Sequence, residues 1–341
     1  MKSSRREFLM TAGIGGAIAS LWQQDARSGA ASAQQRQELP PEATQGPWRN
    51  LRAVREKKVI DFHCHIWETA TQSSSRLGTG LLHEEGHMVD FSEEMLNSMD
   101  AHGIALAALS PVFVGYEKYN NSKWRQAPKR FVMMAGVQEI EPRPSIQDAA
   151  RILRDQFSQG ARGIGEGGLP GYGDDPKTLK PVMDVVKEFD VPVLFHTGWS
   201  ALQTSGNLNY SSAWRAAERM GILAANYPEA KLVIGHIGGR FDSLDGYEML
   251  RVAFTFDNVY VETSKSTPRI ITEAVRGLGA ERVIFGSDWN RPEVKAYGPK
   301  HWRDVYQHWY NLNQIALADI TEDERDTILY KNAQRLLKLT G

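Results

Sequence analysis

The chain has 341 residues, a formal net charge of −1 and 41% hydrophobic content, enough for one large core or two small ones. So balanced a charge removes the electrostatic case for binding nucleic acid or an anionic membrane. A single cysteine, Cys64, excludes an internal disulfide framework.

Residues 1–33 read as an export signal. Ser4-Arg5-Arg6-Glu7-Phe8-Leu9 gives a positive start, a mildly apolar, glycine-bearing run reaches Trp22, and Ala31-Ser32-Ala33 offers a small-residue cleavage site. The paired arginines before Phe8-Leu9 resemble the bacterial twin-arginine signal, which implies a periplasmic or extracellular destination. That route carries folded proteins, so the resemblance also implies that any metal is loaded before export. The apolar run falls short of the ~20 residues a membrane span needs. Residues 34–50, with Gln, Pro and Gly, read as a linker, and residues 51–341 as one catalytic domain.

From Val59 onward, short apolar runs alternate with longer amphipathic ones. Strands are expected at 59–66, 104–112, 131–139, 161–167, 191–198, 231–238, 258–264 and 282–288. Several are continuous apolar runs, as strands covered on both faces should be. Helices fit the intervals. "SIQDAARILRDQF" (145–157) opens with a Ser cap, and "DPKTLKPVMDVVKEF" (175–189) opens on Asp175 with an early Pro176. A final helix over 321–339 begins at Thr321 with Glu324 three residues on, a capping-box pattern. Eight strand–helix alternations favour an α/β fold of the (β/α)8 TIM-barrel type with an additional C-terminal helix. An open doubly wound sheet is the rival.

Four of the nine histidines fall toward C-terminal strand ends: His63 and His65 on the first strand, His196 on the fifth and His236 on the sixth. Glu166 ends the fourth strand in "GIGEGG", and Asp288 ends the eighth in "VIFGSDW". A parallel barrel gathers those ends on one rim, where active sites lie. On a strand, residues i and i+2 share a face, so His63 and His65 can hold one ion while Cys64 points to the helical shell. Zinc accepts imidazole and carboxylate and is the default ion; manganese suits a carboxylate-rich set.

Residues 59–341 resemble the amidohydrolase superfamily, in its amidohydrolase 2 branch. The motifs that carry the resemblance are "DFHCHI" (61–66), "VLFHTG" (193–198), "KLVIGHIGG" (231–239), "NVYVETS" (258–264), "VIFGSDW" (283–289) and "ILYKNAQRLLKL" (328–339). The resemblance implies that His63, His65, His196 and Asp288 bind the more buried ion or share it between them. It implies that His236 binds a second ion or polarises the substrate carbonyl. Glu166 matches the position of a bridging carboxylate in binuclear members; many members carry a modified lysine there, and this chain does not. Mononuclear members often lack a ligand there, so one or two ions are implied. A glycine-loop carboxylate bonded to backbone amides is the alternative for Glu166. The implied chemistry is hydrolysis of an amide, lactone or other ester of a small molecule. The ion lowers the pKa of bound water, Asp288 takes and returns the proton, and His236 or a second ion stabilises the oxyanion. Two rivals stand beside it: a metal-dependent, non-oxidative decarboxylase of an aromatic or enoic acid, and a metal- or carbohydrate-binding barrel without turnover.

Arg240, Lys265 and Arg291 lie just past strand ends, where they could meet a substrate carboxylate. Trp67, Trp199 and Trp289 also follow strand ends and could wall a pocket, with loop packing as the alternative. "HEEGH" (83–87) has the spacing of a zinc-protease helix, but Gly86 and the preceding "RLGTG" favour a loop. His102, His301 and His308 read as structural. "GIGEGGLPGYG" (163–173) lacks the lysine and spacing of a phosphate-binding loop.

Overall fold

The computed structural model describes residues 45–65, 92–111, 130–137, 140, 142–166, 169, 176–197, 213–238, 244–289 and 307–339. The expected export signal, the first part of the linker and the "HEEGH" segment lie outside the described residues. The described residues belong to one compact unit formed by 40–68 and 89–341. Among them no helix is long and apolar enough to cross a membrane.

The strands are parallel and fall into two sheets. One holds β1 (Val59–His65), β2 (Ile104–Ser110) and β3 (Phe131–Met133). The other holds β4 (Pro192–Phe195), β5 (Lys231–Ile234), β6 (Val259–Glu262) and β7 (Val283–Ile284). Isolated parallel bridges link the sheet margins: Ala135 to Ile164 and Ile164 to Val193 on one side, Cys64 to Trp289 on the other. The architecture is a parallel α/β one, compatible with the expected TIM barrel.

The fourth expected strand is reduced to the bridge at Ile164. Its flanking glycines explain the thinness. A Cβ on Gly163 would stand 3.0 Å from the Pro192 carbonyl oxygen, and one on Gly165 2.8 Å from Ser110 Cα. Glycine lets the neighbouring strands approach, but it contributes no side chain to pack. Strands β5, β6 and β7 stop at Ile234, Glu262 and Ile284, short of the expected 238, 264 and 288.

Helices fill the intervals: α1 (Arg52–Arg55), α2 (Ser92–Ala101), α3 (Ile146–Ser158), α4 (Pro176–Phe189), α5 (Ala213–Asn226), α6 (Leu244–Thr255), α7 (Pro268–Leu278) and α8 (Gln307–Leu317). The expected caps are present. Ser145 accepts from the Asp148 amide, and Thr321 and Glu324 form a reciprocal capping box. The C-terminal helix is split into α9 (Glu322–Asp326), a π-helical turn (Thr327–Lys331) and α10 (Asn332–Leu336). The turn coincides with a diverted carbonyl, since Ile328 O accepts from the Phe285 amide at 3.0 Å. Within the expected linker, Pro47–Asn50 is a 3-10 turn whose Trp48 is buried 4.9 Å, centroid to centroid, from the His102 ring. Burying an indole outweighs the local glycine and proline signals there.

Two apolar clusters divide the core. The inner one takes Ile60, Phe62, Ala108, Met134, Leu194, Val233 and Ile284 from the strands or their ends, with Tyr260 against them. Ala333, Leu336 and Leu337 of the C-terminal segment pack into the same cluster. The outer one joins the opposite strand faces, such as Val59, Leu109, Val193, Leu232 and Val261, to the helices. Strand β1 changes sides within its own length. Asp61 pairs with Ala107 but Cys64 pairs with Leu109, so one extra residue sits on β1 between them. This irregularity moves Cys64 into the outer cluster and frees His63 and His65 to point with Phe62.

Substituting Leu336→Ala should cost about 2–5 kcal/mol, as for other buried leucines. Urea unfolding measures the loss, and zinc uptake by the folded variant should match that of the parent. Unchanged stability would contradict the inner-cluster role.

Candidate metal centre

Each side chain of the centre sits at or just past a strand end. His63 and His65 close β1, and Glu166 follows the Ile164 bridge. His196 follows β4 and His236 follows β5. Glu262 ends β6, with Lys265 beyond it, and Asp288 lies beyond β7. Three of these residues have left-handed backbone: His236 at φ 58°, Lys265 at φ 57° and Asp288 at φ 52°. Such conformations cost about 1–3 kcal/mol each outside glycine and gather at functional sites.

Glu166 is the centre of the arrangement. Its Oε2 lies 2.9 Å from His65 Nε2 and 3.1 Å from His63 Nε2. Asp288 Oδ1 stands 3.1 Å from His65 Nε2 on the same side. The other oxygen, Oε1, lies 2.5 Å from His196 Nδ1 and 3.1 Å from His236 Nε2. Two donor groups result, His63–His65–Glu166–Asp288 and Glu166–His196–His236, with one carboxylate in both. The resemblance implies that His196 binds or shares an ion with His63, His65 and Asp288; here its Nδ1 lies with His236 Nε2 beside Glu166 Oε1.

The donor set suits a divalent ion. Tetrahedral ligands at about 2.1 Å from zinc stand about 3.4 Å apart, near the separations seen here. His236 Nε2 is buried and not aligned for a hydrogen bond, although Glu166 is near. A buried nitrogen bearing a lone pair toward a carboxylate is costly until a cation lies between them.

Charge is concentrated in this pocket. Burial opposes ionisation of Glu166, yet the His196 and His63 rings hold its carboxyl well below the ordinary range. Burial likewise opposes ionisation of Asp288, but the Lys265 ammonium beside it prevails and holds it well below that range. Burial favours neutral His63, and the Glu166 and Glu262 charges overcome it, raising the ring well above its ordinary 6.5. His236 is pulled down by burial.

Two residues that sequence reasoning passed over complete the centre. Glu262, fully buried, accepts from His63 Nδ1 at 2.8 Å and from Ser264 Oγ at 2.8 Å. Ser264 Oγ also stands 2.7 Å from His236 Nδ1. Glu262 lies inside the quoted "NVYVETS" motif, and a carboxylate ending a strand that otherwise reads as apolar was the available signal. Gly286 makes the room, since a Cβ there would stand 2.3 Å from Glu262 Oε1.

Other expected residues are placed differently. Lys265 is buried against Asp288 rather than projecting toward a substrate carboxylate, because the dry pocket favours pairing the two charges. Trp289 is fully buried in the outer cluster, its ring stacked 6.3 Å from that of His308. Cys64 faces that cluster, 3.8 Å from Ser287 Oγ and opposite the face that His63 and His65 share. His308 is buried between Ser98 Oγ at 2.8 Å and Asp61 Oδ2 at 3.2 Å, and His102 Nδ1 donates to the Ser98 carbonyl. Trp67, Trp199, Arg240, Arg291, His83, His87 and His301 lie outside the described residues.

Comparison with known proteins gives the geometry a context. The Amidohydrolase family model (Amidohydro_2) matches residues 60–339. A search among curated proteins finds no match. Among solved structures, a Burkholderia multivorans amidohydrolase with bound zinc aligns at TM-score 0.58 and 14% identity, covering 83% of this chain and 99% of that one. The manganese-bound 5-carboxyvanillate decarboxylase of Novosphingobium aromaticivorans, complexed with 4-hydroxy-3-methoxy-5-nitrobenzoic acid, aligns at 0.52 and 16%, covering 83% and 97%. The 4-oxalomesaconate hydratase of Rhodopseudomonas palustris aligns at 0.54 and 17%, covering 82% and 95%. At such identities the likeness is one of fold.

A metal must displace protons from His63 and His65, both of which hold them above the ordinary 6.5 in the ion-free pocket. Zinc affinity should therefore be full at high pH and decline as pH falls, with the decline beginning above 6.5. Calorimetric titration across the neutral range measures it, and a pH-independent affinity would contradict this electrostatic picture.

Proposed function

The chain belongs to the amidohydrolase 2 family, and from that premise we propose that it is a metal-dependent hydrolase cleaving an amide, lactone or other ester bond of a small molecule. The observation that carries the reading is the double-faced position of Glu166, with one oxygen toward His63, His65 and Asp288 and the other toward His196 and His236. A shared carboxylate between two donor groups is what a pair of ions requires, and paired ions suit attack by water on a polarised carbonyl. On this reading the two sheets and the Ile164 bridge form one closed eight-stave barrel, supported by the bridges at Cys64–Trp289 and Ile164–Val193.

Divalent ions bound here would supply Lewis acidity and lower the pKa of water toward about 7. His63, His65, Glu166 and Asp288 would hold the first ion; Glu166, His196 and His236 the second. Asp288 keeps one oxygen near His65, and Lys265 engages the other. The carboxylate is thus ionised and oriented, able to accept a proton from water and deliver it to the leaving group. His236 serves as a ligand or polarises the carbonyl. Zinc is the expected ion, with manganese second. The export reading of residues 1–33 belongs to the same proposal.

Protein purified without chelator should contain two divalent ions per chain, and should hydrolyse members of a panel of amides, lactones and esters. Chelation should abolish turnover, with zinc or manganese restoring it. A single ion together with carbon dioxide release from hydroxybenzoate-type acids would replace hydrolysis with decarboxylation. Full metal loading without any turnover would favour the binding barrel. Expressed with residues 1–33 in place, the chain should be cleaved after Ala33 and recovered outside the cytoplasm; an uncleaved cytoplasmic product would contradict the export reading.

A further inference from the structure

We infer that Glu262 and Ser264 form a hydrogen-bonded relay that fixes the tautomers of His63 and His236, one histidine from each donor group, and thereby makes His236 a metal ligand rather than a hydrogen-bond donor to the substrate. The inference rests on the metal-centre reading above. It concerns two residues argued to act through these histidines, so they are positioning residues.

The argument is a count of protons. A carboxylate accepts and cannot donate. Glu262 Oε2 receives His63 Nδ1 at 2.8 Å, Ser264 Oγ at 2.8 Å and the His236 amide at 3.2 Å, while Oε1 receives the Ser264 amide. The single hydroxyl proton of Ser264 is therefore committed to Glu262. Only a lone pair remains on Ser264 Oγ for His236 Nδ1, 2.7 Å away, so that nitrogen carries the ring proton. His63 Nδ1 carries its proton for the same reason. In the neutral rings both Nε2 atoms are then left bare toward Glu166, at 3.1 Å each.

This decides between the two roles left to His236. A neutral ring protonated on Nδ1 has nothing to donate from Nε2 to a carbonyl oxygen, but it has the lone pair an ion needs. A single buried carboxylate also serves both donor groups. Glu262 reaches the first group directly through His63, and the second through Ser264. Such outer partners of ligating histidines typically change metal affinity about 10- to 100-fold when removed.

The test compares Ser264→Ala and Glu262→Gln with the parent. Zinc titration should show Ser264→Ala losing about 10- to 100-fold affinity at one site only, and Glu262→Gln losing it at both. Nitrogen-15 spectra of ion-free protein, at a pH where the rings are neutral, should show His63 and His236 protonated on Nδ1 in the parent. Glu262→Gln should shift His63 toward the Nε2-protonated form, and Ser264→Ala should release His236 alone. Unchanged tautomers and unchanged affinity at both sites would overturn the relay. If Glu262→Gln does not fold, Ser264→Ala decides alone, because it leaves the carboxylate and His63 in place. Should the parent bind no zinc, the metal-centre reading fails while the nitrogen spectra still test the relay.

Discussion

The structure depends on one buried carboxylate facing two groups of imidazoles. Glu166 is almost fully enclosed, and its two oxygens are shared between donors that come from four other strand ends. A charge in such a place is costly unless it is paired. Here the pairing comes from imidazoles that each present a ring nitrogen, with a second carboxylate, Asp288, alongside and Lys265 behind it. The fold brings these groups together: β1, the Ile164 bridge, β4, β5, β6 and β7 each contribute a residue at or just past the C-terminal end.

Holding the centre has local costs, and the surroundings absorb them. His236, Lys265 and Asp288 adopt left-handed backbone that β-rich sequences avoid. Asn311 on α8 steadies two of these turns at once, accepting from the Lys265 amide at 2.7 Å and donating to the Ser287 carbonyl at 2.9 Å. Asp61 steadies the β1 irregularity, accepting from the His63 and Ser287 amides. The apolar core is correspondingly segregated. One cluster seals the strand interior with Leu336 and Leu337, the other mats the outer strand faces to the helices. The polar groups are left concentrated at the C-terminal ends.

Much of this was legible in the sequence, for identifiable reasons. Alternation of apolar runs with amphipathic ones gave the parallel α/β class, because strands covered on both faces must be apolar throughout. The Ser145 and Thr321 caps followed from side chains able to satisfy free helix amides. The shared face of His63 and His65 followed from strand geometry. What was not legible involves exceptions to periodicity. The extra residue in β1 reverses its inside and outside, and nothing in "DFHCHI" marks it. Lys265 read as a contact for a substrate carboxylate, and only the fold reveals the buried Asp288 carboxylate beside it. Glu262 and Ser264 are ordinary residues in a strand-end motif until the partners brought by tertiary structure, His63 and His236, are known. Trp48 was masked by glycine and proline around it, although its burial anchors the end of the linker.

The central claim is that cations occupy both sides of Glu166. Anomalous X-ray diffraction from crystals of zinc-loaded protein, collected at the zinc edge, addresses it directly. The account predicts two peaks, one within bonding distance of Glu166 Oε2, His63 and His65, the other within bonding distance of Glu166 Oε1, His196 and His236. Peaks that avoid Glu166, or their absence from a crystal whose histidines and carboxylates remain in direct contact, would contradict it.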